Sequence, residues 1–175
     1  MPTDKIVPAL LRTFTTQTGQ SIETLSSERP VLLVFLRHFG CTFCREAVAD
    51  ISKLRPQIEA LGTQLAFVHL SDDDQKAQKF FAPHALTEIP RISDPDGGLF
   101  EAFGLVRAHW RQFLNYESVL RTLQAWLQGH WIGVPGGDVE RMPGVFLIKN
   151  GAIAKAYRHK LVSDRPDYLQ LANPA

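Results

Sequence analysis

The sequence predicts an α/β domain in which a mixed central sheet is flanked by helices. Two continuous apolar runs of strand length, residues 31–36 and 65–70, are typical of strands buried on both faces. The segment between them repeats its apolar residues at helical spacing. Residues 145–157 form two short apolar stretches around Asn150-Gly151, which is a strong hairpin signal. Strands separated by helices and followed by a hairpin indicate parallel and antiparallel pairing within one sheet.

Length and composition fit one ordinary globular domain. The chain has 175 residues, of which 45% are hydrophobic and 21% charged, as in a domain that buries a sizeable core. Its formal net charge of +1 creates no overall field that would attract nucleic acid or an acidic membrane. No apolar run approaches the ~18 residues of a membrane span, and residues 1–11 lack the layout of a secretory signal. We therefore expect a single cytoplasmic domain over residues 1–175 that binds neither nucleic acid nor membrane.

The first half of the chain is predicted to contain an N-terminal extension and, after the first strand, a long helix. Residues 1–29 form an N-terminal extension with a small hairpin around Gly19. The helix that follows the first strand ends at Gly62. Pro56 lies inside this helix and cannot donate to the carbonyl of Ser52, so a kink is expected there.

The second half adds shorter elements and an insertion. The acidic residues 72–74 are interpreted as the start of a helix, where carboxylates accept from free N–H groups, and not as a metal site. A short strand is expected at residues 89–93, and a last helix near Asp164. Residues 104–140 are predicted to be an insertion with one helix, residues 115–129, and a glycine-rich loop that lacks a phosphate-binding motif.

The cysteine pair carries the clearest chemical signal. Cys41 and Cys44 are the only cysteines and form C-T-F-C, a spacing typical of redox or metal chemistry in a chain without a secretory signal. Cys41 stands where the first strand leads into a helix, and the free N–H groups and dipole there stabilise a thiolate. Cys44 lies one turn deeper. We expect Cys41 to be the exposed nucleophile and Cys44 the resolving thiol of a reversible Cys41–Cys44 disulfide.

The neighbours of the cysteines allow more than one interpretation. Arg37, His38 and Arg45 are close enough in sequence to add positive charge and lower the pKa of the Cys41 thiol. His38, Cys41 and Cys44 are also spaced like three zinc ligands, which would make the protein a non-enzymatic metal-binding or interaction module, although closed structural zinc takes four ligands. Two small buried hydrophobic residues are a third interpretation of the pair. The other five histidines are predicted to be surface or packing residues.

Pro143 is the second informative residue. It stands between Met142 and a predicted strand, a position where a cis X–Pro bond often occurs and where an ordinary loop proline is also found. The residue types alone do not decide between a cis X–Pro bond and an ordinary loop proline.

Together these segments resemble the thioredoxin-fold superfamily, and within it the peroxiredoxin-like AhpC/TSA branch that is related to SelL and to prostamide/prostaglandin F synthase. The resemblance covers residues 10 to 171 and is carried by F-L-R-H-F-G-C-T-F-C-R-E (35–46), S-D-P-D-G-G-L-F-E-A-F-G (93–104), G-G-D-V-E-R-M-P-G-V-F (136–146) and Y-R-H-K-L-V-S-D-R-P-D-Y (157–168). It implies a thioredoxin-like fold with a peroxiredoxin-like extension and insertion. It also implies a cis bond before Pro143, with that proline beside Cys41.

The resemblance further implies an oxidoreductase of the antioxidant type. Cys41 would attack a peroxide, an endoperoxide or a protein disulfide, Cys44 would resolve the intermediate, and a thioredoxin-type reductant protein would regenerate the dithiol without a bound cofactor or metal. The chain departs from typical peroxiredoxins in having Arg37 at the position of a proline (with a one-residue shift), His38 at that of a threonine and Pro143 at that of an arginine. Dithiol–disulfide exchange keeps all its parts, and a plain thiol peroxidase is the nearer alternative.

Overall fold

The computed structural model of the chain describes residues 8–105, 141–161 and 163–175. In chain order its elements are α1 (Pro8–Thr13), α2 (Ile22–Glu28), β1 (Val31–Leu36), α3 (Thr42–Ala60), β2 (Gln64–His69), α4 (Asp74–Phe81), a 3-10 turn (Ala82–His84), β3 (Arg91–Ser93), α5 (Gly98–Ala102), β4 (Gly144–Lys149), β5 (Ala152–Arg158) and α6 (Tyr168–Ala172). The helix expected at residues 115–129 and the glycine-rich loop lie outside the described residues.

The strands form one mixed sheet in the order β3-β2-β1-β4-β5. β1 pairs in parallel with β2 and antiparallel with β4, and every residue of β1 is buried. This is the environment that a continuous apolar run predicts, because such a strand needs cover on both faces. The predicted α/β architecture is therefore confirmed, including the β4–β5 hairpin, whose turn residues Asn150 and Gly151 have φ angles of 50° and 72°.

Two hydrophobic clusters cover the two faces of the sheet. The alternation of side chains along β1 sends Leu32, Val34 and Leu36 into one cluster, together with both cysteines. Its other residues, such as Phe35, enter the second cluster on the opposite face. The cysteines are therefore anchored on the face that packs against α3 and α6.

The long helix α3 sets the position of the cysteine pair. It begins at Thr42, directly after Cys41, and ends at Ala60. Gly62 follows with φ 78°, a left-handed conformation that glycine adopts without steric cost, so the predicted end of the helix is confirmed. The helix continues through Pro56, and the kink expected there stays a prediction.

The expected N-terminal hairpin is reduced to a tight turn closed by one antiparallel bridge between Thr15 and Ser21. Helices α1 and α2 stand where its strands were expected. The Ser21 hydroxyl accepts from the Thr24 backbone N–H at 3.1 Å, which is an ordinary helix N-cap. Ile22 and Leu25 are buried by the resulting helix, and this burial decides between two structures that a short alternating pattern fits equally well.

The last helix also begins later than expected. Asp167 caps α6 by accepting from the Gln170 backbone N–H at 2.9 Å. Asp164, the expected start, instead accepts from the backbone N–H groups of Lys160 and Leu161 at 2.7 and 3.0 Å. Its carboxylate therefore stabilises the turn before α6.

Gly97 permits a close approach between two segments of the fold, and we expect Gly97→Ala to destabilise the protein. Gly97 has φ +72°, and a Cβ there would lie 2.8 Å from the guanidinium of Arg141. The left-handed backbone costs a non-glycine residue about 1 to 2 kcal/mol, and the flexible end of the Arg141 side chain must also move aside. Urea unfolding would measure this loss.

Gly98→Ala is the matched control for that experiment. A Cβ at Gly98 would meet its nearest neighbour, Phe14, at an ordinary 3.6 Å. We expect it to change the free energy of unfolding by less than about 0.5 kcal/mol. Equal losses from both substitutions would contradict the role given to Gly97.

Candidate active site

Cys41 and Cys44 meet at the N-terminus of α3. Cys41 is the N-cap of this helix, and its Sγ accepts from the Cys44 backbone N–H at 3.4 Å. Both are free thiols, and the Cys44 thiol also hydrogen-bonds to the Cys41 sulfur. The structure thus brings the two sulfurs together at the position that the sequence predicted.

The expected exposure of Cys41 is wrong for this dithiol form. Cys41 is 7% exposed and Cys44 is 2% exposed. The start of α3 packs into the hydrophobic cluster on its face of the sheet, where Phe39 and Phe43 add partly buried rings. Both sulfurs are therefore covered, and Cys41 is only the less buried of the two.

The two thiols have opposite pKa shifts. The hydrogen bond from Cys44 lowers the pKa of Cys41 to about 6, helped by the positive charge of Arg37 and by backbone N–H groups, although burial opposes it. The pKa of Cys44 is raised, because its proton is held by the Cys41 sulfur and because it is buried. Around neutral pH this pair consists of a thiolate at Cys41 and a thiol at Cys44.

The three basic neighbours behave differently from one another. Arg37 is buried and its charge acts on Cys41. Burial, followed by the charge of Arg37, lowers the pKa of His38 to about 4, so the imidazole is neutral and adds no positive charge. Arg45 Nε donates to the carbonyl of Phe39 at 3.2 Å. The expectation of a shared positive environment is thus corrected: the Arg37 guanidinium is the cation that stabilises the Cys41 thiolate.

The low pKa of Cys41 gives a direct prediction. In the wild type, the rate of Cys41 alkylation by iodoacetamide should rise with pH with a midpoint near 6, set by the shifted pKa. Cys44→Ala should move this midpoint toward the ~8.5 of a free thiol, because it removes the largest cause of the shift. Arg37→Met should move it in the same direction by less. A wild-type midpoint at or above ~8.5 would contradict the assignment of Cys41 as the thiolate.

Pro143 lies beside the cysteines, but the bond before it is not the expected one. A cavity of about 20 Å³ is lined by Cys41, Cys44 and Pro143. The described residues contain no cis peptide bond, so Met142–Pro143 is trans and the expected cis bond is wrong. The tertiary amide of an X–Pro bond prefers trans by only about 0.5 to 1 kcal/mol, and packing that the sequence does not reveal decides between the isomers.

The cavity also contains side chains that the sequence did not single out. His159, Tyr168 and Glu46 line it together with the cysteines, and Arg165 Nη1 binds Glu46 Oε1 at its edge at 3.1 Å. From the sequence, His159 is predicted to be a surface or packing residue. Its signal in the sequence is its place in the fourth block of the family resemblance, residues 157–168.

The metal-binding alternative finds no support in the described part of the chain. Among residues 8–105, 141–161 and 163–175, no three His, Cys, Asp or Glu side chains are arranged to hold a metal ion. His38, Cys41 and Cys44 all lie in these ranges.

The helices of these same ranges are too short or too polar for any of them to cross a membrane.

The fold and the position of the cysteine pair at a helix N-terminus define a class of proteins, those with the thioredoxin fold. Solved structures of this fold superpose on the chain at low sequence identity. Peroxiredoxin Q of Xanthomonas campestris matches with a TM-score of 0.63 and 17% identity over 92% of this chain and 90% of that one. A protein described as a thiol:disulfide interchange protein DsbE, from Chlorobium tepidum, matches with a TM-score of 0.53 and 20% identity over 82% and 77% of the two chains.

Sequence relatives narrow the class to a family. Residues 6–156 match the model of the AhpC/TSA family. The prostamide/prostaglandin F synthase of Salmo salar is 40% identical over 87% of this chain and 77% of its own length. Peroxiredoxin-like 2A of Bos taurus is 26% identical over 82% of this chain and 64% of its own length. The chain belongs to the AhpC/TSA family, and it is a peroxiredoxin-like oxidoreductase of the thioredoxin fold.

Proposed function

We propose that the protein reduces a peroxide or disulfide substrate by reversible oxidation of Cys41 and Cys44. The observation that carries this proposal is the opposite shift of the two pKa values, down to about 6 for Cys41 and upward for Cys44. A thiolate is the nucleophile in both chemistries. In both chemistries the second step is the attack of another thiol on the Cys41 sulfur, and Cys44 is a protonated thiol within hydrogen-bonding reach of that sulfur.

With a peroxide, the Cys41 thiolate attacks one oxygen of the O–O bond. That bond breaks, the released alkoxide or hydroxide takes a proton, and Cys41 becomes a sulfenic acid. Cys44 then attacks the Cys41 sulfur, so that water leaves and the Cys41–Cys44 disulfide forms. The substrate gains two electrons, and the dithiol loses them.

With a disulfide, the first product is a mixed disulfide between Cys41 and one substrate sulfur. Attack by Cys44 releases the second substrate thiol and forms the same Cys41–Cys44 disulfide. In either case an external dithiol protein of thioredoxin type returns the pair to the reduced state, and no bound cofactor is required. A cytoplasmic setting, with its thiol reductants, suits this cycle.

The supporting residues have separate tasks in this proposal. Arg37 stabilises the thiolate of Cys41, and Arg45 holds the loop before it through the Phe39 carbonyl. Neutral His38 and Pro143 shape the surroundings of the sulfurs. Pro143 presents no N–H group of its own, which leaves its side of the cavity apolar.

Two substrate classes follow from different observations. The name of the Salmo salar relative suggests a lipid-derived endoperoxide, whose O–O bond would be reduced to two hydroxyl groups. The cavity beside the sulfurs has a volume of about 20 Å³, room for about one water-sized group, and this favours a small hydroperoxide end. Reduction rates with hydrogen peroxide, an organic hydroperoxide and an oxidised dithiol would rank these substrates and distinguish a plain thiol peroxidase from a disulfide reductase.

Mass spectrometry before and after mild peroxide treatment tests the proposal. We expect the oxidised protein to lose two hydrogens, with the loss mapped to a Cys41–Cys44 peptide and reversed by a dithiol reductant. Protein that reacts only to sulfinic or sulfonic acid at Cys41 would contradict the role of Cys44. Protein that does not react at either cysteine would contradict the function as a whole.

A further inference from the structure

His159 carries an imidazole nitrogen without a partner in the same cavity as the cysteine pair. It follows β5, and its backbone N–H donates to the carbonyl of Pro143 at 3.3 Å. Its ring packs edge-on against Tyr157, with centroids 5.3 Å apart. Among the described residues, its buried Nδ1 has no hydrogen-bond partner. A buried polar atom without a partner is costly, and its position beside the reacting sulfurs calls for an explanation.

The second step of the proposed cycle needs a proton acceptor at this place. Cys44 must become a thiolate before it attacks, yet it is 2% exposed and bulk water does not reach it freely. The acceptor must therefore lie in the cavity that Cys44 lines, or be reached through a water held there. A volume of about 20 Å³ suffices for one water molecule.

The other titratable side chains of the cavity are already engaged. Arg165 holds the Glu46 carboxylate at 3.1 Å. The Asp164 carboxylate accepts two backbone N–H bonds at 2.7 and 3.0 Å. Tyr168 is a proton donor at neutral pH, because burial raises the pKa of its hydroxyl. Among the described residues that line the cavity, this leaves the imidazole of His159.

We propose that His159 accepts the proton of Cys44, through one water in the cavity, when Cys44 resolves the intermediate on Cys41. This inference rests on the proposed function. As the Cys44 sulfur attacks, the Cys41–substrate bond breaks and the Cys41–Cys44 bond forms. The electron pair of the broken bond leaves with the substrate group, and the proton of Cys44 passes to His159.

The electrostatics around His159 keep its lone pair available but make the imidazole a weak base, so it holds an accepted proton only transiently. Burial, followed by the charge of Arg37, lowers the pKa of His159 to about 4, although Asp164 opposes this. The imidazole is therefore neutral at physiological pH, and its lone pair is free to accept. The imidazolium next to Arg37 is unfavourable, so it passes the proton on to the released substrate group or to solvent.

Reaction with 5,5′-dithiobis(2-nitrobenzoate) separates the two steps. Attack by Cys41 releases one coloured thionitrobenzoate and leaves a mixed disulfide, and attack by Cys44 releases the second. Thionitrobenzoate leaves as a stable anion, so the second phase depends on the proton of Cys44 alone. Cys44→Ser should show the first phase only, and this comparison assigns the second phase to the attack by Cys44.

His159→Asn keeps a neutral polar group near the position of Nδ1 but cannot relay a proton. We expect it to slow the second phase by about 100-fold, a usual contribution of general acid–base catalysis, and to leave the first phase within about twofold of the wild type. The solvent deuterium isotope effect on the second phase should also change, which a purely structural defect would not cause.

His69→Asn is the matched control. His69 is likewise buried, with a pKa lowered to about 4 and an unpartnered Nδ1, but it lines a different cavity. It should leave both phases within about twofold of the wild type.

Three outcomes would count against the inference. A second phase that stays fast in His159→Asn would overturn it while leaving the proposed function intact. A Glu46→Gln variant that loses the second phase while His159→Asn keeps it would assign the proton to the carboxylate. A wild type that releases no thionitrobenzoate would contradict the proposed function itself, and this inference with it.

Discussion

Cys41→Ser should abolish reductant-dependent turnover, whereas Cys44→Ser should react once and then stop. A serine hydroxyl is barely ionised at neutral pH and cannot replace the Cys41 thiolate. The remaining Cys44 is 2% exposed, and its burial still raises the pKa of its thiol after the Cys41 sulfur is gone, so it should not react in place of Cys41. In Cys44→Ser the nucleophilic sulfur of Cys41 is still present, and the serine hydroxyl can donate a hydrogen bond to it. Cys41 should accumulate as a mixed disulfide with a substrate thiol or as a sulfenic acid.

Covalent trapping distinguishes the two variants. Each is incubated with an oxidised disulfide substrate, and the adduct is located by mass spectrometry. Adducts on Cys41→Ser but not on Cys44→Ser would reverse the assignment of nucleophile and resolving thiol. Each variant should still unfold cooperatively, because replacing one sulfur removes little of the core. A variant that does not fold would therefore be recognised before its chemistry is interpreted.

Phe35→Ala should cost about 3 to 5 kcal/mol of the free energy of unfolding, as is typical for a buried phenylalanine. Phe35 is 1% exposed in the central strand β1. The centroid of its ring lies 4.9 Å from the ring centroids of Phe100 and Phe103 and 5.5 Å from that of Phe146. Removing the ring leaves a cavity among these three and loses its edge-on contacts. Such a loss is a large part of the ~5 to 15 kcal/mol that stabilises a domain.

Urea unfolding followed by circular dichroism measures this loss. Phe35→Leu fills part of the space and should cost clearly less than Phe35→Ala. Leu61→Ala, at an exposed leucine, should stay within about 0.5 kcal/mol of the wild type. If Phe35→Ala lowered the free energy of unfolding no more than Leu61→Ala, the hydrophobic cluster that contains Phe35 would not be a major source of stability.

The sequence determined the features of this protein that depend on local pattern. The apolar run of β1 requires a strand covered on both faces, and Asn150-Gly151 requires a tight hairpin turn. Cys41 precedes the apolar periodicity of α3, so its place at the helix N-terminus follows from chain order alone. The C-x-x-C spacing then brings Cys44 one turn further along the same helix. These features define the thioredoxin-like frame and its cysteine pair.

Contacts between distant segments decided the rest. Which of Arg37, His38 and Arg45 lowers the pKa of Cys41 depends on their burial and position. Desolvation makes His38 neutral, whereas the charge of Arg37 acts on the Cys41 sulfur. The trans bond before Pro143 and the two N-terminal helices depend on packing that local preferences of about 1 kcal/mol do not settle.

His159 is the clearest case of a residue whose place beside the cysteines only the tertiary structure could identify. It lies 118 positions after Cys41 in the chain, yet both residues line one cavity. Their separation in the sequence does not show that Cys41 and His159 are neighbours. They come together only because the β4–β5 hairpin pairs with β1. The position of a cysteine pair is therefore readable from its motif, whereas the side chains that surround the pair are assembled by the fold.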